Sequence, residues 1–129
     1  MKPLFFVALL ILSSGPAYAE WVAVGTPVDA ETIYVDLETI YREGNLVDIS
    51  VISDFKVAKH LQDGSRYRSA RLLHQYNCVE ERFRLLAITL FAGNMGIGVM
   101  LDELAKEGTW RPIPSDSVGQ QVMELVCPK

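Results

Sequence analysis

One stretch of the chain alternates regularly enough to predict its conformation. Between residues 47 and 55, apolar and polar side chains follow each other almost one by one, and only Ile52 on the polar side and Ser53 on the apolar side depart from the pattern. A period of two is typical of a β-strand with one face on a core and one face in water, as in antiparallel sheets. The apolar set is Val47, Ile49, Val51 and Phe55, and the polar set is Asp48, Ser50 and Asp54.

Other segments have the composition or the periodicity of strands. Residues 21–24 are a short apolar run, and residues 32–36 are rich in β-branched and aromatic side chains. Turn sequences at 43–45 and 62–65 separate the following elements. Residues 82–91 lie between turns and predict a further strand. Five residues at alternate positions share one strand parity, which should place Cys78 on the face of Leu72 and Tyr76. They are Ala70, Leu72, His74, Tyr76 and Cys78.

The sequence pattern near the end of the chain changes from that of strands to that of a helix. Proline has no N–H group to donate, so Pro112 and Pro114 do not extend a ladder well. Ser117 with Gln120 fits a capping box, the signal for a helix start. Helical spacing then relates Val118, Val122 and Leu125. We predict a short amphipathic helix that ends near Cys127.

The first nineteen residues predict a cleavable secretory signal. Lys2 supplies a positive charge, residues 4–12 contain no polar side chain, and Ala17 and Ala19 stand three and one positions before the predicted cut. Nine residues rise only about 14 Å as a helix, against roughly 30 Å of hydrocarbon, so we expect no transmembrane segment. We expect cleavage after Ala19 and one periplasmic or secreted domain of residues 20–129.

The two cysteines, Cys78 and Cys127, carry two predictions. A bacterial lipoprotein needs a cysteine just after its apolar run, and residues 15–21 contain none, so we expect no lipid anchor. In an exported chain the two cysteines most simply pair with each other. A redox pair or a metal site is the alternative. However, redox pairs usually have CxxC spacing, and two thiols supply half of a tetrahedral zinc shell.

The charge balance excludes one class of function. Without Lys2, the 12 basic residues of the chain fall to 11 against 16 acidic residues, a net charge of −5 for residues 20–129. A general nucleic-acid binder needs a net basic face to displace phosphate counterions. We therefore expect no nucleic-acid partner.

The segment from Gly93 to Gly98 looks at first like a phosphate cradle. An apolar run precedes it, and residues 99–106 have a helix-compatible composition, so strand, glycine loop and helix would follow in order. The spacing is GxxGxG, however, which reverses the dinucleotide fingerprint. We interpret the segment as a glycine-rich bend or bulge between two strands, and we expect no cofactor.

Other candidates for catalysis have simpler interpretations. His74 lies on an apolar parity, where a hydrogen-bonded core histidine is commoner than a catalyst, and His60 lies in a polar stretch where it should be solvated. Asp36 and Asp54 could pair as carboxylates for acid–base work, but isolated acids at strand ends are usually surface or turn residues. We predict a non-enzymatic protein with no metal site.

Basic side chains cluster in one part of the acidic chain. If the strands that carry them are neighbours, a local positive patch results, which could meet an acidic protein, a sulfated glycan or phosphates. The simpler interpretation is pairing with Glu80, Glu81 and other acids, which stabilises little. The candidate basic patch consists of Arg66, Arg68, Arg82 and Arg84.

These elements together resemble the surface-adhesin protein E family of Gram-negative bacteria. The resemblance spans nearly all of residues 20–127 and depends on the order of its pieces and the paired cysteines. The pieces are the Trp21-Val22 strand, Ile33-Tyr34-Val35-Asp36, Asp54-Phe55, Tyr67-Arg68-Ser69, Tyr76-Asn77-Cys78, residues 93–98, residues 110–115 and Val126-Cys127.

The resemblance implies a fold and a range of functions. The fold is mostly β (α+β), a single antiparallel sheet of about six strands with a C-terminal helix tethered by a disulfide. The family's named member binds host extracellular proteins, including vitronectin and laminin, and it is a lipoprotein, whereas this chain has no lipobox cysteine. We expect a non-enzymatic exported binding or envelope-associated protein with a protein partner.

Two alternatives stay open, and one hypothesis concerns assembly. The chain could be a surface adhesin for host matrix proteins, or a small periplasmic enzyme with an unrecognised site. An open antiparallel sheet also leaves two unpaired edges, and a homodimer is one way to cover them.

Overall fold

Antiparallel strands make up most of the domain. The computed structural model describes residues 21–28 and 30–128, so the predicted signal segment, 1–19, lies outside the described residues. Six strands pair in the order of the sequence, and a two-residue seventh strand pairs with β5. They are β1 (Trp21–Val28), β2 (Glu31–Glu43), β3 (Leu46–His60), β4 (Arg66–Asn77), β5 (Arg82–Phe91), β6 (Met100–Ala105) and β7 (Arg111–Pro112).

The central strands are longer than the sequence patterns predict. β2 has 13 residues and β3 has 15, and the predicted turn at residues 43–45 joins them into a hairpin. Irregularities interrupt the pairing between Asp36 and Tyr41 in β2 and between Asp54 and Lys59 in β3. Because a bulge shifts the side-chain alternation, the simple period fades beyond these points.

One face of the sheet carries the main core. Val47, Ile49 and Val51 lie opposite Tyr76, His74 and Leu72 on β4, so the alternating set of β3 is buried as predicted. A nine-residue helix, α1 (Val118–Val126), packs against this face. We call this face of the sheet the helix face.

The helix begins and packs largely as its sequence predicts. The Ser117 hydroxyl accepts from the N–H of Gln120 at 3.2 Å, which is half of a capping box. The Gln120 side chain reaches back to the N–H of Asp116 instead of that of Ser117. Leu125 was expected on the apolar face but is 48% exposed, and Val126 is buried in its place. The reason is that the docked face follows residues 118, 122 and 126.

Three connections hold the helix on the sheet. Cys78 and Cys127 form the predicted disulfide. The Arg42 guanidinium donates to the carbonyl oxygen of Val126, where a cation also complements the helix dipole. The amide side chain of Gln121 accepts from the N–H of Gly25 at 2.9 Å. Together they fix α1 across β1, β2 and the end of β4.

Candidate functional site

The glycine-rich segment folds back over the second face of the sheet. Residues 93–98 join β5 to β6 and contain a 3-10 turn, Asn94–Gly96, so the interpretation as a bend between strands is confirmed. The turn lies over Ile52, whose side chain is 0% exposed. This contact explains why Ile52 interrupts the polar side of β3, since its face is covered at that point.

The amides of this loop are bonded within the protein. The Asp54 carboxylate accepts from the N–H of Met95 at 2.7 Å and from the side-chain amide of Asn94 at 3.1 Å. The Ser69 hydroxyl accepts from the N–H of Gly96 at 2.9 Å. A phosphate cradle presents free amides to its ligand, whereas a carboxylate and a hydroxyl of the protein occupy these.

Close packing explains two of the glycines. Gly96 has a φ of +69°, and a Cβ there would lie 3.1 Å from Cδ1 of Ile52. A Cβ on Gly93 would lie only 2.5 Å from the carbonyl oxygen of Ile97. Glycine is therefore required by the approach of the loop to the sheet and to itself, with no ligand needed to explain it.

Replacement of Asp54 by alanine is expected to release this loop. The variant loses two hydrogen bonds to a charged acceptor, so we expect the free energy of unfolding to fall by about 2 kcal/mol and the amides of residues 94–97 to exchange faster. Urea unfolding and hydrogen exchange measure the two effects. Asp102→Ala, in exposed β6, is the control. Unchanged exchange at residues 94–97 in Asp54→Ala would contradict the anchoring role.

The two candidate carboxylates do not form a pair. Asp36 lies opposite Ser50 on β3, four residues from Asp54, which is about 13 Å along the strand. Asp36 is buried and accepts from the N–H of Glu38 at 3.0 Å, so it stabilises the irregular part of β2. Both acids support backbone, and the acid–base pairing is excluded by their separation.

The four candidate arginines do not form one patch. Their strands are neighbours, but Arg84 lies opposite Gln75, seven residues from Arg68 on β4, or about 23 Å along the strand. Because side chains alternate across a strand, Gln75 and Arg68 also point to opposite faces. The prediction of a single patch from Arg66, Arg68, Arg82 and Arg84 is therefore wrong.

Arg84 is engaged in local contacts. Its guanidinium donates to the amide oxygen of Gln75 at 2.8 Å and lies 3.4 Å from the Glu107 carboxylate. It also lies over the Trp110 ring, 4.4 Å from the ring centre. These contacts support the simpler interpretation of local pairing, although the acid is Glu107 instead of Glu80 or Glu81.

His74 lies on the helix face beside a cavity. Its ring packs edge-on against Phe83 at 5.7 Å and Tyr76 at 6.3 Å between ring centres. Its Nδ1 is buried without a hydrogen-bond partner among the described residues, so the prediction of a hydrogen-bonded core histidine is wrong for that atom. Burial lowers the pKa of His74 to about 4, so the ring is neutral near pH 7. His60, at the end of β3, is exposed as predicted.

The cavity lies between the first half of α1 and the sheet. Its volume is about 430 Å³. Ser53, the second exception to the alternation of β3, lines it, so a polar residue on the apolar parity marks a part of the face that α1 leaves unfilled. Burial raises the pKa of Tyr76, another lining residue, to about 12. The apolar lining consists of Ile33, Val51, Leu72, Phe83, Pro114, Val118 and Val122.

The β6 edge exposes large apolar side chains that the sequence patterns did not reveal, next to the exposed Asp102 and Glu103. β6 is the last strand of the pairing order, and its outer side has no partner among the described strands. Val99, Met100 and Leu104 are 68%, 53% and 58% exposed. β6 lacks a regular period, and the composition of residues 99–106 is compatible with a helix. The remaining sequence signal for a strand here is the position of the segment between the glycine-rich loop, residues 93–98, and Gly108.

Comparison with known proteins identifies the family. The model of the surface-adhesin protein E family matches residues 21–128. The chain belongs to this family. The resemblance in the order of strands, cysteines and glycine loop is thereby confirmed. No curated protein sequence matches the chain significantly.

Solved structures of Haemophilus influenzae protein E share the fold. Crystal form II is similar with a TM-score of 0.70 and 14% identity over 87% of this chain and 90% of that one. A second protein E structure has a TM-score of 0.67 and 14% identity over 87% and 86%. A selenomethionine form has 0.61 and 15% over 83% and 93%. The expected protein E fold, a mostly antiparallel sheet with a tethered C-terminal helix, is confirmed.

Two further properties concern membrane insertion and metals. No described helix combines the length and the apolar character that a membrane crossing requires. Within residues 21–28 and 30–128, histidine, cysteine and acidic side chains do not converge in groups of three or more that could hold a metal ion.

Proposed function

We propose that this protein E-like domain is an exported, non-enzymatic binding protein of the bacterial envelope whose β6 edge contacts a protein partner. Membership of a surface-adhesin family supports binding over catalysis. The observation that carries the proposal is the β6 edge, with Val99, Met100 and Leu104 exposed beside unpaired backbone groups. Such edges add strands from other chains, and the three exposed apolar side chains would supply the apolar part of such a contact.

The N-terminal segment supports export. The signal composition of residues 1–19 favours cleavage after Ala19 and a periplasmic or secreted location. In expressing cells, we expect the protein in the periplasmic fraction, with Glu20 as the first residue by intact-mass measurement. An uncleaved cytoplasmic protein would contradict the proposal.

An adhesin for host extracellular proteins is the second candidate. The family of surface adhesins favours it, and vitronectin and laminin are the first partners to test. The assay uses oxidised residues 20–129 on immobilised vitronectin and laminin. Saturable binding that Leu104→Lys weakens at least tenfold would support the adhesin role. Val79→Lys is the matched control, because Val79 is 68% exposed and lies in the turn between β4 and β5.

A homodimer would cover the same edge. Sedimentation of the oxidised domain between micromolar and millimolar concentration distinguishes the two uses of β6. If the domain dimerises and Leu104→Lys makes it monomeric, the edge serves self-association. The role of this edge would be contradicted if the wild type is a monomer, does not bind vitronectin or laminin, and does not bind a periplasmic protein through β6.

A further inference from the structure

The hairpin of β3 and β4 extends beyond the rest of the sheet at its closed end. β3 pairs with β2 only as far as Phe55, and β4 pairs with β5 only from Ser69 onward. The two strands continue to pair with each other as far as His60 and Arg66. This end of the hairpin therefore has no neighbouring strand on either side among the described residues. We call the segment, residues 56–68, the hairpin tip.

The hairpin tip is positively charged in an acidic domain. It contains four lysine or arginine side chains and one acidic side chain, Asp63, whereas the other residues of 20–129 contain seven basic and fifteen acidic side chains. With His60 neutral, the tip has a net charge of +3 and the remainder has a net charge of −8. The four cationic residues, which are all exposed, are Lys56, Lys59, Arg66 and Arg68.

Three of these cations are not neutralised within the domain. Among the described residues, no carboxylate lies within 4.0 Å of a nitrogen of Lys59, Arg66 or Arg68. The ammonium group of Lys59 lies over the Phe55 ring, 4.6 Å from the ring centre, and this contact leaves its charge in place. The Asp63 carboxylate accepts from a backbone N–H of the turn at 2.8 Å. The cations are therefore available to anionic groups outside the protein.

An exposed apolar side chain lies among the cations. Val57 is 71% exposed, and it lies in the irregular part of β3, between Lys56 and Lys59. Basic side chains bind the headgroups of an anionic bilayer, and apolar side chains beside them reach the boundary with the acyl chains. A sulfated glycan offers anionic groups but no hydrocarbon. Val57 therefore favours a membrane surface over a glycan as the partner of the tip.

We propose that the hairpin tip docks the domain on an anionic membrane surface. Lys59, Arg66 and Arg68 donate charge-assisted hydrogen bonds to lipid phosphate groups, and Val57 enters the boundary between headgroups and acyl chains. The same surface repels the acidic remainder of the domain, so the tip faces the membrane. This proposal goes beyond partner binding at the β6 edge. Since the tip does not include β6, the two proposals can fail separately.

Vesicle flotation tests the docking. Oxidised residues 20–129 are mixed with vesicles of phosphatidylcholine, or of phosphatidylcholine and phosphatidylglycerol in equal parts, at low and at high NaCl concentration. We expect at least tenfold tighter partition onto the anionic vesicles at low salt, and loss of most of this difference at high salt, which screens the charges. Equal partition onto both kinds of vesicle at low salt would overturn the proposal. Binding to immobilised heparin without binding to anionic vesicles would also overturn it, in favour of a sulfated glycan.

Charge variants assign the binding to the tip. Arg66→Gln/Arg68→Gln removes two cations, and because each cation near an anionic surface contributes about fivefold, we expect partition to fall at least tenfold. Arg82→Gln/Arg111→Gln is the matched control, since it changes the net charge equally at two exposed positions near the other end of β4. It should change partition less than threefold. Equal losses in the two double variants would show that net charge alone controls binding, and the proposal would be wrong.

Val57→Trp tests the insertion of the tip. Tryptophan prefers the headgroup region of a bilayer, so we expect tighter partition onto anionic vesicles and quenching of the added emission by lipids brominated on their acyl chains. Val79→Trp is the matched control, because Val79 is 68% exposed and lies in the turn between β4 and β5. Trp21 and Trp110 give the same background in both variants. Quenching of Val57→Trp that does not exceed quenching of Val79→Trp would overturn the proposed orientation on the membrane.

Discussion

Cys127→Ser is expected to lower the free energy of unfolding by about 4 kcal/mol. The bridge joins Cys127 to Cys78, which is 49 positions earlier in the sequence. The chain-entropy model assigns about 4 kcal/mol to the closure of a loop of this length. A total stability of roughly 5–15 kcal/mol makes this a large fraction. Urea unfolding of the oxidised wild type and the variant measures the difference.

The loss should concentrate at α1. A nine-residue helix is too short to be stable alone, and without the bridge it is held by Val122, Val126 and the Arg42 contact. Amide exchange in residues 118–126 should therefore accelerate more than exchange in β3. The double variant Cys78→Ser/Cys127→Ser is the control, and it should match the single variant within about 1 kcal/mol. Equal urea midpoints for oxidised and reduced wild type would contradict the prediction.

Acidification from pH 7 to pH 4 is expected to remove about 3 kcal/mol of stability through His74 alone. Burial lowers its pKa in the folded protein to about 4, against about 6.5 in an unfolded chain. Between these values the unfolded state binds a proton that the folded state does not, so stability falls as the pH falls. The contribution is complete above about pH 6.5 and is lost on approach to pH 4.

The variant His74→Phe isolates this effect. It retains an aromatic ring between Tyr76 and Phe83 but cannot titrate, so its stability should change less between pH 7 and pH 5 than that of the wild type. Urea unfolding at half-unit pH steps gives both curves. His60→Gln, at an exposed position, should keep the wild-type slope. Parallel curves for wild type and His74→Phe would contradict the buried neutral histidine.

Local patterns predicted the elements that meet water on one side only. The alternation of residues 47–55 identified β3 because each parity of a half-buried strand has one environment. Ser117 identified the start of α1, since an N-cap acts within four residues. The two cysteines identified the tether, because an exported chain with two thiols has one internal pairing available.

The exceptions to these patterns depended on contacts between distant segments. Ile52 is buried because residues 93–98, more than 40 residues later in the chain, fold over it. Ser53 and His74 line a cavity because α1 docks on residues 118, 122 and 126 and leaves the neighbouring part of the sheet uncovered. A sequence period reports that a face is covered, and it contains no information about which segment covers it.

The sequence by itself determined the antiparallel strands from β1 to β5, the capped helix, the disulfide and the family, because each depends on local spacing or on the order of short motifs. Only the tertiary structure decided where the candidate surfaces for binding lie. The register between β4 and β5 separates Arg68 from Arg84, and the pairing order leaves β6 at the edge. Both follow from which strands become neighbours and in what register, and these choices depend on the packing of the whole sheet.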